Sequence, residues 1–422
     1  MPRNRAAGAA RGGQSEESRL TAQPARMHAM KMRLTVRGIA MVLVAGGSMA
    51  CRGGAGGAFD LPAAVARSQA STGDTARLGH ALAKARRGEA VTIGVIGGSI
   101  TQGAAATKAE FRYGDRISKW WRDTFPKATV EFVNAGIGAT GSNFGALRVQ
   151  RDLLARNPDV VIVEYGVNDG NDKGCAETLE GVVRQILRQP NHPAVLLLFM
   201  MHQGGGNAQE WHGKVGKHYG LPMVSLRDAL WPEIKAGRLR WEEVVADTVH
   251  PNDRGHDYAA QFVIAAMGQA LKALPADDGL PAIKPLPAPL ISDLFEHAAL
   301  YEAAALKPVS NEGWMLDAQA QCWKSDKPGS VIEFEVEGNV ILMMHFIIKG
   351  PMGMASVRVD DKPPLTKDGW FDQTWGGYRN TCELARDLGP GPHRVRLELL
   401  DKKAAGSTGN EFRLLGFGAA GK

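Results

Sequence analysis

The segment Asp247-Thr248-Val249-His250-Pro251 has the most specific arrangement of reactive side chains in the sequence. With two residues between them, the carboxylate of Asp247 and the imidazole of His250 can share one tight turn. Asp247 would accept a hydrogen bond from one ring nitrogen, which leaves the other nitrogen free to take a proton from a hydroxyl. The spacing therefore predicts a general base and the carboxylate that orients it.

A suitable hydroxyl stands in Gly97-Gly98-Ser99, which directly follows an apolar run. At the end of a strand, two glycines would leave the hydroxyl of Ser99 exposed and its backbone amide free to donate, which suits a nucleophile. A Gly-Ser pair alone is more often an ordinary turn, and an Asp-x-x-His motif alone is more often surface decoration. Together, and in this chain order, they predict a catalytic set of Ser99, His250 and Asp247.

Two further segments could hold a developing negative charge. The loop from Asn134 to Ser142 is rich in glycine, which lets backbone amides approach a ligand closely, although the same composition suits tight packing against a helix. In Gly166-Val167-Asn168-Asp169 the side chain of Asn168 offers an amide donor, although Asn and Asp could equally form a satisfied turn. Both segments are candidates for an oxyanion hole.

These segments need strands whose ends meet. Five apolar runs are predicted as strands: Val91–Gly97, Val130–Asn134, Val160–Tyr165, Ala194–Met201 and Met223–Ser225. Helical periodicity alternates with them, in Arg116–Thr124, Phe144–Arg156, Glu177–Gln189 and Tyr258–Leu274. The alternation predicts a three-layer α/β domain over residues 75–274. Its sheet is mainly parallel, and such sheets bind ligands beyond the carboxyl ends of their strands.

The second half of the chain has a different pattern. Five prolines interrupt it at first: Pro275, Pro281, Pro285, Pro287 and Pro289. They can form neither helix nor inner strand, so residues 275–312 are predicted as a linker. From about Gly313, apolar and polar residues alternate, as in Val331–Glu337 and His393–Leu399. This pattern predicts an antiparallel β-sandwich of the jelly-roll type over residues 313–420.

Residues 1–52 are predicted to be a leader. A basic stretch from Lys31 to Arg37 precedes the apolar run Ile39–Ala45, which is too short to span a bilayer, and small residues follow. This layout is typical of a secretory signal peptide. Ser48-Met49-Ala50-Cys51 resembles a bacterial lipobox, so lipidation at Cys51 and ordinary cleavage are both open. The protein is expected to be periplasmic, an outer-membrane lipoprotein or secreted, and to meet a membrane only through a lipid anchor at Cys51.

The charge distribution argues against a nucleic-acid partner. The chain has 422 residues and a formal net charge of +6, but residues 1–52 alone carry nine basic and two acidic side chains. The remainder has 41 basic and 42 acidic residues, so no extended basic surface is expected.

The cysteines give no sign of a redox or metal site. Apart from Cys51, the chain has Cys175, Cys322 and Cys382. A disulfide between Cys322 and Cys382 and two free buried thiols are equally open. No Cys-x-x-Cys pair and no cluster with metal-ligand spacing occurs, so neither a metal nor another cofactor is predicted.

The four blocks Gly98-Ser99, Asn134 to Ser142, Gly166 to Asp169 and Asp247 to Pro251 together resemble the SGNH (GDSL-type) hydrolases. The resemblance covers about residues 75–274 and implies an esterase with a flavodoxin-like α/β fold. It implies that Ser99 is the nucleophile, that His250 is the general base and that Asp247 orients it.

The resemblance also implies the members of the oxyanion hole: the amide of Ser99, the side chain of Asn168, and a backbone amide of Gly138 or Ala139. Two departures from the family pattern concern this region. Gly98 replaces the aspartate of the commoner Gly-Asp-Ser form, and Ala139 aligns with the usual oxyanion glycine. A backbone amide can come from alanine, so the second departure does not remove the donor.

The resemblance extends to polysaccharide deacetylases that pair an SGNH domain with a β-sandwich. We therefore expect an exported serine esterase that removes acetyl or another small acyl group from a carbohydrate. Trp370, Trp375 and Tyr378 lie in a predicted loop of the sandwich and could stack on sugars, and His202 could line the pocket. Two alternatives remain open: a carbohydrate O-acyltransferase with the same triad, and a non-catalytic glycan-binding surface protein.

Overall fold

The computed structural model describes residues 58–276 and 279–421. The predicted signal peptide and the lipobox at Cys51 lie outside these residues and stay predictions. Within the described part, no helix is long and apolar enough to cross a bilayer.

A six-stranded sheet forms the centre of the first part of the molecule. Its strands are β1 (Gln69–Ser71), β2 (Val91–Gly97), β3 (Val130–Gly136), β4 (Val160–Glu164), β5 (Ala194–Phe199) and β6 (Met223–Ser225). They lie in the order β3-β2-β4-β5-β6-β1, all parallel except β1, which pairs antiparallel with β6. Strands β2 to β6 thus have the flavodoxin-like order. The order reverses at β2, so the ends of β2, β3 and β4 border the crevice where such folds bind ligands.

Helices cover both faces of this sheet. They are α1 (Leu61–Ser68), α2 (Ala76–Arg86), α3 (Ser99–Gln102), α4 (Tyr113–Thr124), α5 (Ser142–Asp152), α6 (Lys173–Leu187), α7 (Gln209–His218), α8 (Leu226–Lys235) and α9 (Asp253–Lys272). Helices α1, α2, α4, α8 and α9 pack on one face, and α5, α6 and α7 on the other. Successive residues of β4, such as Ile162 and Val163, enter the two opposite cores. Burial on both faces explains why the strands are apolar throughout, and the predicted α/β class is confirmed.

Two antiparallel sheets form the second part. Their strands are β7 (Ala299–Glu302), β8 (Ser310–Glu312), β9 (Met315–Asp317), β10 (Cys322–Ser325), β11 (Val331–Glu337), β12 (Val340–Ile347), β13 (Met354–Val359), β14 (Leu365–Asp368), β15 (Tyr378–Ala385), β16 (Pro392–Leu399) and β17 (Phe412–Ala420). One sheet has the order β15-β12-β17-β10-β9, with β7 also on β17, and the other has β14-β13-β16-β11-β8. Side chains of both sheets, among them Phe334 and Phe417, meet in one core, which confirms the sandwich.

The sandwich and the α/β part share a second hydrophobic core. In β12, Leu342 and Met344 pack with Phe144 and other residues of α5 and α6, whereas Ile341 and Met343 point into the sandwich core. The strand is therefore apolar at consecutive positions and does not show the alternation that β11 and β16 show. Removing the sandwich would expose the covered face of α5 and α6 to water.

The structure differs from the expected linker in one stretch. Residues 275–312 are predicted as a linker, yet β7 and β8 lie within it and pair with β17 and β11. These strands have four and three residues, which is too short for a periodic pattern to reveal them.

Cys322 and Cys382 are free thiols, as is Cys175. Cys322 lies on β10 and Cys382 on β15, with β17 and β12 between them. Three inter-strand spacings amount to about 14 Å, whereas the Cα atoms of a disulfide lie within about 7 Å of each other. The structure therefore excludes the disulfide alternative.

Candidate active site

Ser99, His250 and Asp247 form one hydrogen-bonded line beyond the carboxyl edge of the sheet. Ser99 Oγ lies 2.9 Å from His250 Nε2, and His250 Nδ1 lies 2.7 Å from Asp247 Oδ2. Ser99 directly follows β2 and Gly98, whereas Asp247 and His250 lie in the loop before α9. The fold thus brings together a hydroxyl and an imidazole that are 151 positions apart in the sequence.

The turn that the Asp-x-x-His spacing predicts is present. Asp247 Oδ1 accepts hydrogen bonds from the backbone amides of Val249 and His250, both at 2.7 Å, while Oδ2 faces the ring. Burial works to raise the pKa of Asp247, but these hydrogen bonds and the imidazole hold it below its ordinary value. The carboxylate is therefore ionised at neutral pH. It can accept from Nδ1–H, which leaves Nε2 as the acceptor for the Ser99 hydroxyl.

Gly98 and Ser99 owe their placement to the start of a short helix. Ser99 is the first residue of α3, and Gly98 is its N-cap. The first amides of a helix have no carbonyl partner within it, so the N–H of Ser99 is free to donate. A Cβ on Gly98 would lie 2.1 Å from Asn168 Oδ1. Asn168 thus occupies the space that any side chain at position 98 would need, so this arrangement of Asn168 requires a glycine there.

The loop after β3 lies beside the hydroxyl. The N–H of Ile137 donates to the last carbonyl of β2 at 3.1 Å and so ties the two segments together. A Cβ on Gly138 would lie 3.9 Å from Ser99 Cβ and 2.9 Å from Gln102 Oε1. Ala139 follows with a φ of 55°, a left-handed conformation that alanine seldom adopts. Both candidate amides therefore lie on a loop that approaches Ser99.

Asn168 lies in a turn that buried polar groups hold in place. The amides of Asn168 and Asp169 donate to Tyr165 O, each at 3.0 Å. Asp169 Oδ1 accepts from the N–H of Ser142 at 2.8 Å, and its Oδ2 lies 3.1 Å from His212 Nε2. Asn168 Oδ1 is buried without a hydrogen-bond partner among residues 58–276 and 279–421, and Asn168 Nδ2 donates no hydrogen bond within those residues, so Nδ2 can donate to a substrate oxygen.

Replacing Gly98 with alanine tests the contact with Asn168. The new Cβ must push the Asn168 side chain aside, so we expect kcat for an aryl acetate to fall by up to about 10²-fold, as when one oxyanion donor is lost. The matched control is Gly213→Ala on α7, where a Cβ would meet nothing within 4 Å. A Gly98→Ala variant with a kcat close to that of Gly213→Ala would contradict this reading of the packing.

Comparison with known proteins agrees with this geometry. Residues 95–258 match the family described as GDSL-like lipase/acylhydrolase. The crystal structure of a two-domain esterase active on acetylated mannans is 31% identical, with a TM-score of 0.78; the match covers 85% of this chain and 98% of that chain. The chain belongs to the GDSL-like lipase/acylhydrolase family. The same esterase co-crystallised with mannopentaose matches over the same shares at 31% identity and a TM-score of 0.77. A comparison with curated protein sequences gives no match.

In this GDSL-like protein, His202 lies next to the histidine motif. Its side chain is exposed, and the N–H of the following Gln203 donates to Thr248 O at 2.7 Å. The structure thus places His202 beside the loop that carries His250. No group of three or more His, Cys, Asp or Glu side chains within the described ranges is placed to hold a metal ion.

The predicted aromatic residues fall into two places. Trp370 is half-buried, and a Cβ on Gly406 would lie 2.5 Å from its ring, so it packs within the sandwich. Phe371, Trp375 and Tyr378 form an aromatic cluster with ring centroids 5.2 to 5.5 Å apart. The side chain of Trp375 is 60% exposed.

The aromatic cluster is close to the loop that approaches Ser99. On β15, Thr381 lies three residues beyond Tyr378, and its carbonyl accepts from Asn143 Nδ2 at 3.0 Å. Asn143 is the second residue of α5, which begins directly after the glycine-rich loop. Three residues of strand span about 10 Å, so the cluster lies about this far along β15 from the contact with the start of α5.

Sequence reasoning did not single out Glu164, a fully buried acid at the end of β4. Its Oε1 accepts from the N–H of Gly166 at 3.1 Å, and its Oε2 has no partner in the described part of the chain. Burial raises the pKa of Glu164 to about 8, so the carboxyl group is neutral at pH 7. A single acid closing the apolar run Val160 to Val163 was the signal that could have revealed it.

Replacing Glu164 with glutamine should change how stability depends on pH. The unfolded carboxyl group ionises near its ordinary pKa of 4.5, whereas the folded one stays protonated up to about pH 8. The free energy of unfolding of the wild type therefore falls as the pH rises between these values, by up to about 1.4 kcal/mol per unit. Glutamine does not ionise, so the free energy of unfolding of the variant rises relative to that of the wild type from pH 5 to pH 8. Urea unfolding at pH 5 and pH 8 measures this change. If the two proteins differed in free energy of unfolding by the same amount at both pH values, Glu164 would not be a buried neutral acid.

Proposed function

We propose that this protein is an exported serine esterase that removes acetyl groups from an acetylated mannan. The observation that carries the proposal is the line from Ser99 Oγ to His250 Nε2 at 2.9 Å and from His250 Nδ1 to Asp247 Oδ2 at 2.7 Å. A hydroxyl, a base and an orienting carboxylate in this order activate serine for acyl transfer. The exported location rests on the predicted leader in residues 1–52.

In the first half of the reaction, Ser99 Oγ attacks the ester carbonyl carbon while its proton passes to His250 Nε2. The carbonyl π electrons move to the oxygen, which the amide of Ser99, an amide of the Gly138-Ala139 loop and the Asn168 side chain would hold. Asp247 stabilises the imidazolium that forms. When the tetrahedral intermediate collapses, the bond to the sugar oxygen breaks and Nε2 returns its proton to that oxygen, which leaves acetyl-Ser99.

In the second half, water takes the place of the sugar hydroxyl. Nε2 of His250 removes a proton from water as the water oxygen attacks the acetyl carbon. The second tetrahedral intermediate uses the same donors. Its collapse breaks the bond to Ser99 Oγ, which regains the proton from His250, and acetic acid leaves. At the end of the cycle Ser99 again carries its hydroxyl proton and His250 Nε2 is again free to accept one.

The choice of an acetylated mannan rests on two supports. The two-domain esterase is active on acetylated mannans, and the match covers 98% of that chain and 85% of this one. In this chain Trp375 is exposed and packs against the partly buried rings of Phe371 and Tyr378, on the strand that contacts the start of α5. Aromatic side chains present an apolar face with a polar rim, which suits stacking on the faces of sugar rings.

An acetate-release assay tests the proposal. Acetylated glucomannan, acetylated xylan and an aryl acetate are offered to the full chain and to Ser99→Ala. We expect release that depends on Ser99, faster from glucomannan than from xylan. Hydrolysis of the aryl acetate without release from glucomannan would reject the substrate, and the absence of any Ser99-dependent release would reject the esterase. Transfer of acetyl to added mannooligosaccharides that exceeds acetate release would assign a transferase instead.

Replacing Trp375 with alanine tests the aromatic cluster. Loss of one stacking platform should raise KM for acetylated glucomannan by about 5- to 30-fold, because stacking on one aromatic ring contributes about 1–2 kcal/mol. The aryl acetate serves as the internal control, since it is too small to reach the cluster, and its kcat/KM should stay within twofold. Equal losses on both substrates would show that Trp375 acts through the fold.

A further inference from the structure

We infer that Arg148 is a positioning residue for the reaction proposed above. Arg148 lies on α5, and its side chain is completely buried. Its Nη1 donates to Ala135 O at 2.7 Å and to Asp152 Oδ2 at 3.1 Å. Its Nη2 donates to Gly97 O at 3.1 Å and to the Tyr165 hydroxyl oxygen at 3.3 Å. One guanidinium therefore joins the ends of three neighbouring strands.

The three strand-end partners, Gly97, Ala135 and Tyr165, each lie directly before one segment of the site. Gly97 ends β2 and lies two residues before Ser99. Ala135 lies near the end of β3, directly before the loop that carries the candidate amides. Tyr165 follows β4 and lies three residues before Asn168. The guanidinium thus sets the relative position of the nucleophile, the loop amides and the side-chain donor.

The surroundings of the guanidinium are built to keep it there. A Cβ on Gly145 would lie 2.4 Å from the Tyr165 hydroxyl, so glycine makes room for that hydroxyl one turn before Arg148. Burial works to raise the pKa of Asp152, yet the hydrogen bond from Arg151 and the charges of Arg148 and Arg151 lower it. The buried cation is therefore paired with an ionised carboxylate.

The hydrogen bonds of Arg148 to the strand ends affect the rate because an oxyanion hole works only when its donors are fixed in place. A displacement of about 1 Å at a catalytic group can cost about 10²-fold in rate. A guanidinium donates in several directions from a rigid plane, whereas the ammonium of lysine is a single point on a flexible stem. Lysine at position 148 would keep the charge beside Asp152 without reaching all three strand ends.

The test is Arg148→Lys in the full chain. A fluorophosphonate that labels Ser99 counts the active sites, so that kcat for an aryl acetate refers to folded enzyme alone. We expect kcat per site to fall about 10- to 100-fold with KM within threefold. The affinity for an aryl trifluoromethyl ketone, which mimics the tetrahedral intermediate, should fall by the same factor as kcat/KM.

A matched control distinguishes positioning from general stability. Arg184 on α6 is also buried, and it donates to Glu296, Tyr219 and the carbonyl of Pro287, away from the strand ends. Arg184→Lys should lower the melting temperature but leave kcat per site within twofold. An equal loss of kcat in the two lysine variants would overturn the inference, and so would an unchanged kcat in folded Arg148→Lys.

A milder variant covers the case in which Arg148→Lys does not fold. Tyr165→Phe removes one partner of the guanidinium and leaves all charges in place. We expect kcat per site to fall about 3- to 10-fold, with KM unchanged. An unchanged kcat in this variant would overturn the inference. Failure of the proposed esterase is recognised separately, because Ser99→Ala would then retain the wild-type rate.

Discussion

Replacing Ser99 with alanine is expected to lower kcat for an aryl acetate by roughly 10⁶-fold, because the variant has no atom that can form the acyl intermediate. The residual rate over water would come from the oxyanion donors and from binding alone. The Ser99 hydroxyl forms one side-chain hydrogen bond in the described part of the chain, to His250, so its loss leaves no buried partner unsatisfied. We therefore expect the melting temperature to stay within about 2 °C of the wild type.

The measurement needs a control of the same chemistry. Ser71 on β1 accepts a hydrogen bond from the N–H of Gly73 and is remote from the line of Ser99 and His250. Ser71→Ala should keep the wild-type kcat. If Ser99→Ala hydrolysed the aryl acetate within tenfold of Ser71→Ala, another nucleophile would have to be found and the proposed mechanism would be lost.

The central strands could be predicted from the sequence because burial on both faces makes them apolar throughout. The bounds of β2 and β6 agree with the prediction, and β3, β4 and β5 differ from it by two residues or fewer at their ends. Strand β1 has three residues and pairs antiparallel at the edge of the sheet, so it has no pattern of its own. Short elements such as β1, β7 and β8 depend on their partners more than on their own residues.

The candidate site was predictable to the extent that it is local. The turn that joins Asp247 and His250 depends on a spacing that the sequence shows directly. The contact between Gly98 and Asn168 joins residues from two different strand ends, and the sequence shows only a missing aspartate. Arg148 lies inside a predicted helix, where a charge among apolar positions did not reveal its three strand-end partners. Packing between strand ends, and not the local pattern, determines these contacts.

The difference between local sequence pattern and packing between distant segments also applies to the sandwich. Alternation in β11 and β16 predicts a sheet with one buried face, and that is what they form. The continuous apolar residues of β12 indicate cover on both faces, and α5 supplies the second cover. Because α5 also carries Arg148 and starts beside the glycine-rich loop, the sandwich packs on the helix that supports the site. The sandwich therefore contributes to the structure of the site as well as to the proposed binding of the polymer.

Replacing Asp247 with asparagine is expected to lower kcat by roughly 10⁴-fold while the fold stays intact. Asp247 Oδ1 accepts from the amides of Val249 and His250, and the carbonyl oxygen of asparagine can keep both bonds. The amide nitrogen then faces His250 Nδ1 as a donor, where Oδ2 was an acceptor. This arrangement favours the tautomer with the proton on Nε2, so the ring can no longer accept a proton from Ser99.

The decisive comparison for this change is with a carboxylate six residues further along the chain. Asp253 accepts hydrogen bonds from the amide and the hydroxyl of Thr107, at 2.8 and 2.6 Å, and no hydrogen bond or ion pair joins it to His250 in the described part of the chain. Asp253→Asn should therefore keep kcat within twofold, although it removes the same charge at the first residue of α9, directly after the loop. If both asparagine variants lost activity equally, the negative charge near His250 and not the tautomer of its ring would control the rate. A large loss in Asp247→Asn alone, at an unchanged melting temperature, assigns the effect to the proton that Asp247 holds on Nδ1.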